Sequence, residues 1–180
     1  LVSSMENGDI DILFVYDVNP VFTLPKQLNF KEAIGKVPFV VSFSSFMDET
    51  TELANLVLPN NTTIESWGDY SPRESVHALI QPVMSPVFNT KSTGDVILSV
   101  SGQVEELNGK FTQTTFYDYL QDSWKQVWAG ASGSGDFDTF WNQSLEKGGY
   151  YKDLPSKAVS VSPAVASLKF SEAEFTGEGD

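Results

Sequence analysis

The chain has 180 residues, 41% of them hydrophobic and 13% aromatic, which suits one domain with a buried core, or a domain plus an appendage, and excludes a disordered chain. Its formal net charge of −13, from 24 acidic and 11 basic residues, would repel a phosphate backbone and argues against nucleic acid as a partner. The absence of cysteine removes disulfides, thiolate metal sites and cysteine nucleophiles, and the single histidine, His77, leaves little for a His-based metal cluster or a Ser-His-Asp triad.

No stretch approaches the roughly 20 apolar residues that span a bilayer, so no direct membrane span is expected. No signal peptide is visible and the chain begins at Leu1, which points to a processed chain or an excised segment.

In chain order, Ile12-Leu13-Phe14-Val15-Tyr16 is an unbroken apolar run, as expected for a strand buried on both faces. Phe39-Val40-Val41-Ser42-Phe43 is a second such run. Between them Leu28, Lys31, Glu32, Ala33, Ile34 and Lys36 suit a short amphipathic helix closed by Gly35, with Pro38 beyond it. The gap between the runs is long enough for a crossover between parallel strands.

A second helix is expected from Met47 to Asn55, with Ser45 and Asp48 at capping-box spacing and Phe46, Thr50, Leu53, Ala54 and Val57 on one face. Leu56-Val57-Leu58 reads as a third strand, stopped by Pro59. From Asn60 to Asp95, prolines 72, 82 and 86 with Gly68, Asn89 and Gly94 predict an irregular excursion with little regular structure. Excursions of that length usually carry function or an interface.

The second half reads as helical. Gly94-Asp95 opens a helix through Val96, Ile97, Leu98 and Val100, continuing toward Leu107 before Asn108-Gly109. Phe116, Tyr119, Leu120, Trp124, Val127 and Trp128 trace a core-facing 3.6-residue stripe ended by Gly130. Ala131-Ser132-Gly133-Ser134-Gly135 is a flexible joint, and Phe137, Phe140, Trp141 and Leu145 form another stripe, stopped by Gly148-Gly149. Val159 to Ser162 alternates like an edge strand or an extended exit segment, and Glu172, Glu174, Glu178 and Asp180 close the chain as a solvated linker.

The fold class is therefore α/β, a Rossmann-like parallel sheet (β-α-β-α-β) with a long irregular excursion and a helical second half. Residues 1–110 form the sheet domain, with the irregular loop at 60–95. Residues 111–150 form a helical hairpin, and 151–180 an extended exit segment and acidic linker.

Open parallel sheets bind ligands beyond the carboxyl ends of their strands. Here those ends are Asp17-Val18-Asn19-Pro20, Ser44-Ser45-Phe46-Met47 and Pro59-Asn60-Asn61-Thr62, all rich in small hydrogen-bonding groups. Asn19 offers both donor and acceptor, and Ser44 and Ser45 fall where a helix N-terminus would attract an anion. The same residues are also ordinary turn formers and caps. No Walker-type or G-x-G-x-x-G loop is present. Asp48 with Glu49, Glu65 with Asp69, and His77 beside Arg73 and Glu74 read as solvated or satisfied side chains, not as acid/base machinery.

Taken in order, these residues carry a family resemblance. The stretch Ile12 to Leu98 resembles the third domain of the dimethyl sulfoxide reductase superfamily of molybdopterin oxidoreductases, through Asp17-Val18-Asn19-Pro20, Ser44 to Thr50, Ala54 to Pro59, and Glu65. Glu65 to Asp69, Gln81 to Pro86 and Thr93 to Leu98 look most like the polysulfide-reductase-like and quinone-linked branch.

The resemblance implies a fragment of a large electron-transfer subunit, not catalytic alone and exported to the periplasmic side. In the family this domain helps hold one arm of the molybdopterin guanine dinucleotide, a role that falls here on Asn19, Pro20, Ser44, Ser45 and Thr50. Metal ligation and iron-sulfur cluster cysteines belong to other parts of the parent. The implied partners are other domains of the same subunit and the iron-sulfur and membrane subunits of a redox complex. Asp17 stands where the family has glycine, and a carboxylate there opposes a pyrophosphate. That departure gives weight to a second reading, a pterin-free structural scaffold in a quinone-linked complex. A third reading is a free-standing α/β module for a small ligand.

Overall fold

A computed structural model describes residues 1–107, 109–131, 135–154, 156 and 158–169. Asn108, the Ser132-Gly133-Ser134 part of the expected joint and the acidic end from Glu172 to Asp180 lie outside the described residues.

After a short helix α1 (Val2–Glu6), strand β1 (Ile12–Val15) leads into the small helices α2 (Pro20–Thr23) and α3 (Phe30–Ile34), which return the chain to β2 (Phe39–Ser42). Strand β3 (Leu56–Val57) completes a three-stranded sheet in the order β1-β2-β3. Both pairings are parallel, with Ile12 opposite Phe39, Val15 opposite Ser42 and Val41 opposite Leu56. Asn55 extends the second ladder, its backbone amide donating to the Val40 carbonyl at 2.9 Å and its side-chain oxygen accepting from the Val40 amide at 2.7 Å. The expected parallel sheet is present.

Its burial departs from expectation. Met5, Phe30, Ala33, Ile34 and Val37 pack with Val15 and Val40 under one face. On the other face Ile12, Phe14 and Tyr16 are 54%, 65% and 54% exposed. Side chains alternate across a strand, and among the described residues only one face of β1 is covered. An apolar run therefore did not mean burial on both sides.

The helix expected over Met47 to Asn55 is replaced by a tight turn and a single 3-10 turn, Thr51–Leu53. Asp48 is the cause. Its carboxylate accepts from the Thr50 and Thr51 amides at 3.1 and 2.7 Å, while the Thr51 and Ser42 hydroxyls pair at 2.8 Å. Such side-chain bonds give the backbone an alternative to a helix. Phe46, placed on the helix's apolar face by the sequence pattern, is 81% exposed.

The stretch from Asn60 to Asp95 holds more regular structure than its prolines suggest. Strands β4 (Gly68–Arg73) and β5 (Val76–Ile80) form an antiparallel hairpin, joined by a turn in which Ser75 takes φ 78°. Pro72 is tolerated because β4 is an edge strand whose register shifts between Tyr70 and Arg73.

Helix α4 (Thr93–Ser101) ends at Gly102, earlier than expected, and a separate 3-10 turn covers Glu105–Leu107. Ser92 caps α4 by accepting from the Asp95 amide at 3.1 Å. Helices α5 (Phe116–Ala129) and α6 (Phe137–Lys147) follow the two predicted stripes. Their faces bury Trp124, Phe140 and Trp141 with Leu79 of β5 in a second core. Gly148 ends α6 at φ 72°, and the chain then adds β6 (Gly149–Tyr151) to the hairpin, giving the order β4-β5-β6. Gly149 is required there, because a Cβ would run into the His77 carbonyl. No strand among the described residues includes 159–162, so they are not the edge strand that was one of the two forms expected for them.

Candidate functional site at the strand tips

All three strands of the parallel sheet point their carboxyl ends at one cleft. About 370 Å³ in volume, it is lined by Tyr16 and Asp17 after β1, Ser44 and Ser45 after β2, and Asn60 and Asn61 after β3. The β4–β5 hairpin supplies its far wall through Trp67, Asp69 and Ile80. The volume falls in the range of about 300–1,000 Å³ usual for small-ligand sites.

The tips are tied to one another. The Ser45 hydroxyl donates to the Asn60 carbonyl at 2.6 Å, joining the second and third. Asn60 Oδ1 in turn accepts from the Thr93 amide and hydroxyl at 2.9 and 3.1 Å, which anchors the start of α4 to the sheet. Asn61 Oδ1 accepts from the Thr90 hydroxyl at 2.7 Å. Ser44 is engaged inward, its hydroxyl donating to the Phe46 carbonyl at 2.8 Å and approaching Asp48 Oδ2 at 3.2 Å.

Of the five residues the family resemblance singles out, Ser44 and Ser45 line the cleft and the other three sit behind it. The Thr50 side chain, fully buried, donates to Asn19 Oδ1 at 2.7 Å and accepts from the Val21 amide at 3.1 Å. Asn19 Nδ2 donates to Glu49 Oε2 at 2.6 Å. Pro20 occupies the first turn of α2, where a missing N–H costs nothing. Asn19, Glu49 and Thr50 thus form a brace between the β1 and β2 tips. The helix N-terminus expected at Ser44 and Ser45 is absent, because no helix forms there.

Sequence reading missed Asp17 as a conformational signal. It has φ 53°, the left-handed region that glycine adopts freely and that aspartate tolerates better than most residues. Asn60 and Asn61 line the cleft at the third strand tip, where the sequence placed them, while the lining residues that were missed are Trp67 and Asp69. The hairpin that delivers the last two was hidden by Pro72.

Asp48, Glu49 and Glu65, near the cleft, are held ionised by their partners. For Asp48, partial burial pushes the pKa up, but the Thr51 amide and hydroxyl, Ser44 and the Thr50 amide outweigh it and leave it below the ordinary value. The Asn19 amide lowers Glu49. The Thr62 and Val87 amides and the Thr62 hydroxyl lower Glu65, which closes a capping box with Thr62 and ties Val87 to it at 2.9 Å. Asp69 accepts from Trp124 Nε1 at 3.0 Å, and His77 pairs with the Ser71 hydroxyl at 2.9 Å. These groups have structural work. Among the described residues no group of three or more His, Cys, Asp or Glu could hold a metal ion.

An open parallel sheet whose strand tips enclose a polar cleft, followed by a helical second half, makes this an α/β protein. Residues 1–103 match the model of the molybdopterin oxidoreductase family, and the chain belongs to it. It is 40% identical over 96 residues to a menaquinone reductase molybdopterin-binding-like subunit of Nitratidesulfovibrio vulgaris, covering 51% of this chain and 14% of that protein. A periplasmic nitrate reductase of Desulfovibrio desulfuricans is 25% identical over 149 residues, 82% of this chain and 19% of that protein. An NADH-quinone oxidoreductase subunit of Rhizobium meliloti is 22% identical over 138 residues, 74% of this chain and 16% of that protein. The chain therefore spans a minor part of the length of each of these relatives. No described helix is long and apolar enough to cross a membrane.

Proposed function

We propose that this chain is a domain of the large subunit of a molybdopterin-type electron-transfer complex, and that its strand-tip cleft seats the nucleoside end of one guanine dinucleotide arm. One observation carries this reading: tips of three parallel strands, contributed in chain order, close on a single polar cleft. The lining fits a base and ribose. Their N–H and O–H groups would meet the carboxylates of Asp17 and Asp69 and the hydroxyls of Ser45 and Thr62, and their acceptor atoms the Nδ2 groups of Asn60 and Asn61. When bound, the pterin would supply the redox chemistry; these residues would hold and orient one end of it. Ser44 and Ser45 shape the cleft, Asn19 and Thr50 brace it, and Pro20 sets the start of α2.

Partners in this reading are the remaining domains of the same subunit, together with iron-sulfur and membrane subunits, on the periplasmic side. Relatives named for menaquinone reduction, periplasmic nitrate reduction and NADH-quinone oxidoreduction support it. Acid hydrolysis of the full-length subunit from its native source should release GMP, and elemental analysis should find molybdenum. A subunit with neither would overturn the cofactor role.

One feature favours the second reading, a pterin-free scaffold. Among the described residues the cleft lining holds two carboxylates, Asp17 and Asp69, and no cation. That lining opposes the pyrophosphate even where it suits the nucleoside. The same hydrolysis decides between the two.

A further inference from the structure

A groove of about 680 Å³ adjoins the strand-tip cleft, and Ser45, Phe46, Asn60 and Thr62 line both. Most of its remaining wall is apolar, supplied by Pro59, Ile64, Met84, Val87 and Phe88. Phe46 and Phe88 are 81% and 77% exposed, and Ile64, Met84 and Val87 are exposed with them. Large apolar side chains gathered in one groove mark an interaction site, whereas scattered ones do not.

Hydrogen bonds order the walls without covering them. The Val83 amide donates to the Ile64 carbonyl and the Val87 amide to Glu65 Oε1, both at 2.9 Å, and the Thr90 hydroxyl donates to Asn61 Oδ1 at 2.7 Å. The loop carrying Met84 to Phe88 is thus pinned along residues 61–65 while its apolar side chains stay exposed. The Phe46 amide donates to Ser44 Oγ at 3.1 Å, which fixes the other wall.

Charge selects the kind of cover. Among the described residues Glu65 is the only charged side chain in the lining, and it already accepts from the Thr62 and Val87 amides. A chain with 24 acidic residues that keeps this groove nearly free of charge, with Phe and Met there instead, gives it the composition of a permanent interface core. A second copy would bring another charge of −13 against this one.

Resting on the reading of this chain as a domain of a large subunit, we propose that the groove is an internal interface, filled permanently by an apolar segment of the same subunit from outside residues 1–180. The relatives leave ample chain for such a segment, since this one covers 14%, 19% and 16% of three of them. Because four residues line both cavities, the segment also closes one side of the strand-tip cleft.

The experiment is hydroxyl-radical footprinting of the full-length subunit from its native source, freed of partner subunits, with the urea-unfolded subunit as reference. Phenylalanine and methionine both react with the radical, so Phe46, Met84 and Phe88 report directly. Each should react about tenfold more slowly in the folded subunit, as for side chains in a fully buried interface core, at any protein concentration. Protection that appears only with partner subunits attached, or that grows with concentration, would assign the groove to another chain and overturn the proposal. Reaction at the unfolded rate throughout would overturn it too, while leaving the large-subunit reading in place. A native polypeptide of only 180 residues would remove both.

Discussion

Thr50 shows how much one hydroxyl can hold. It donates to Asn19 and accepts from the Val21 amide while fully buried, so it fixes the β1 tip against the turn after β2. Thr50→Val keeps the shape and removes both bonds, leaving a backbone amide and a side-chain carbonyl unpaired. The expected cost is about 1–3 kcal/mol in a urea melt. A loss below about 0.5 kcal/mol, the scale of ordinary surface changes, would mean water replaces the hydroxyl at no cost. Asp17 makes the complementary point. Its positive φ predicts that Asp17→Gly is tolerated with a gain of no more than about 1 kcal/mol, whereas Asp17→Ala loses about 1 kcal/mol. An alanine variant as stable as the parent would show that the backbone there relaxes.

At the scale of elements, the packing of α4 on α5 depends on Gly94, where any Cβ would strike the Phe116 ring. Gly94→Ala gains about 1 kcal/mol of helix propensity and still should be destabilising by about 1–2 kcal/mol, because the clash involves the ring's root and not a flexible tip. Adding Phe116→Leu should recover part of the loss, and simple additivity of the two changes would refute the contact.

Elements of this kind were unevenly legible in the sequence. The strands β1 and β2 and the helices α5 and α6 announce themselves, since apolar runs and 3.6-residue stripes reflect the packing that forms them. The helix expected after Ser45 failed because Asp48 turns its carboxylate on the backbone, a bond that no periodicity encodes. The hairpin β4–β5 escaped notice because Pro72 falls at an irregular edge and a serine, not a glycine, makes the turn. At the site, the tips were legible from the order of strands. The division between lining residues and braces was not, since it depends on which way Asn19 and Thr50 point.

For the molecule as a whole, charge sets the conditions of stability. Asp48, Glu49, Glu65, Asp122 and Asp136 all have pKa values below the ordinary range. Partial burial works against this at Asp48, where hydrogen bonds from Thr51, Ser44 and Thr50 prevail. Hydrogen bonds from Asn19, Thr62, Lys125 and Thr139 lead at the other four, in that order. A carboxylate whose pKa falls on folding adds stability that is complete above its unfolded value, about 4, and is lost as pH drops through the folded value. The melting temperature should therefore hold from pH 7 to about pH 5 and fall below about pH 4. A formal charge of −13 acts in the opposite sense near neutrality, because self-repulsion opposes the compact state. Added salt should raise the melting temperature at pH 7 by screening that repulsion, and should do little near pH 4, where the net charge is small. Stability that climbs steadily as pH falls from about 6 to about 4 would mean that repulsion outweighs the hydrogen-bonded carboxylates, and that the Asp48 turn and the Glu65 cap contribute little to holding the strand tips in place.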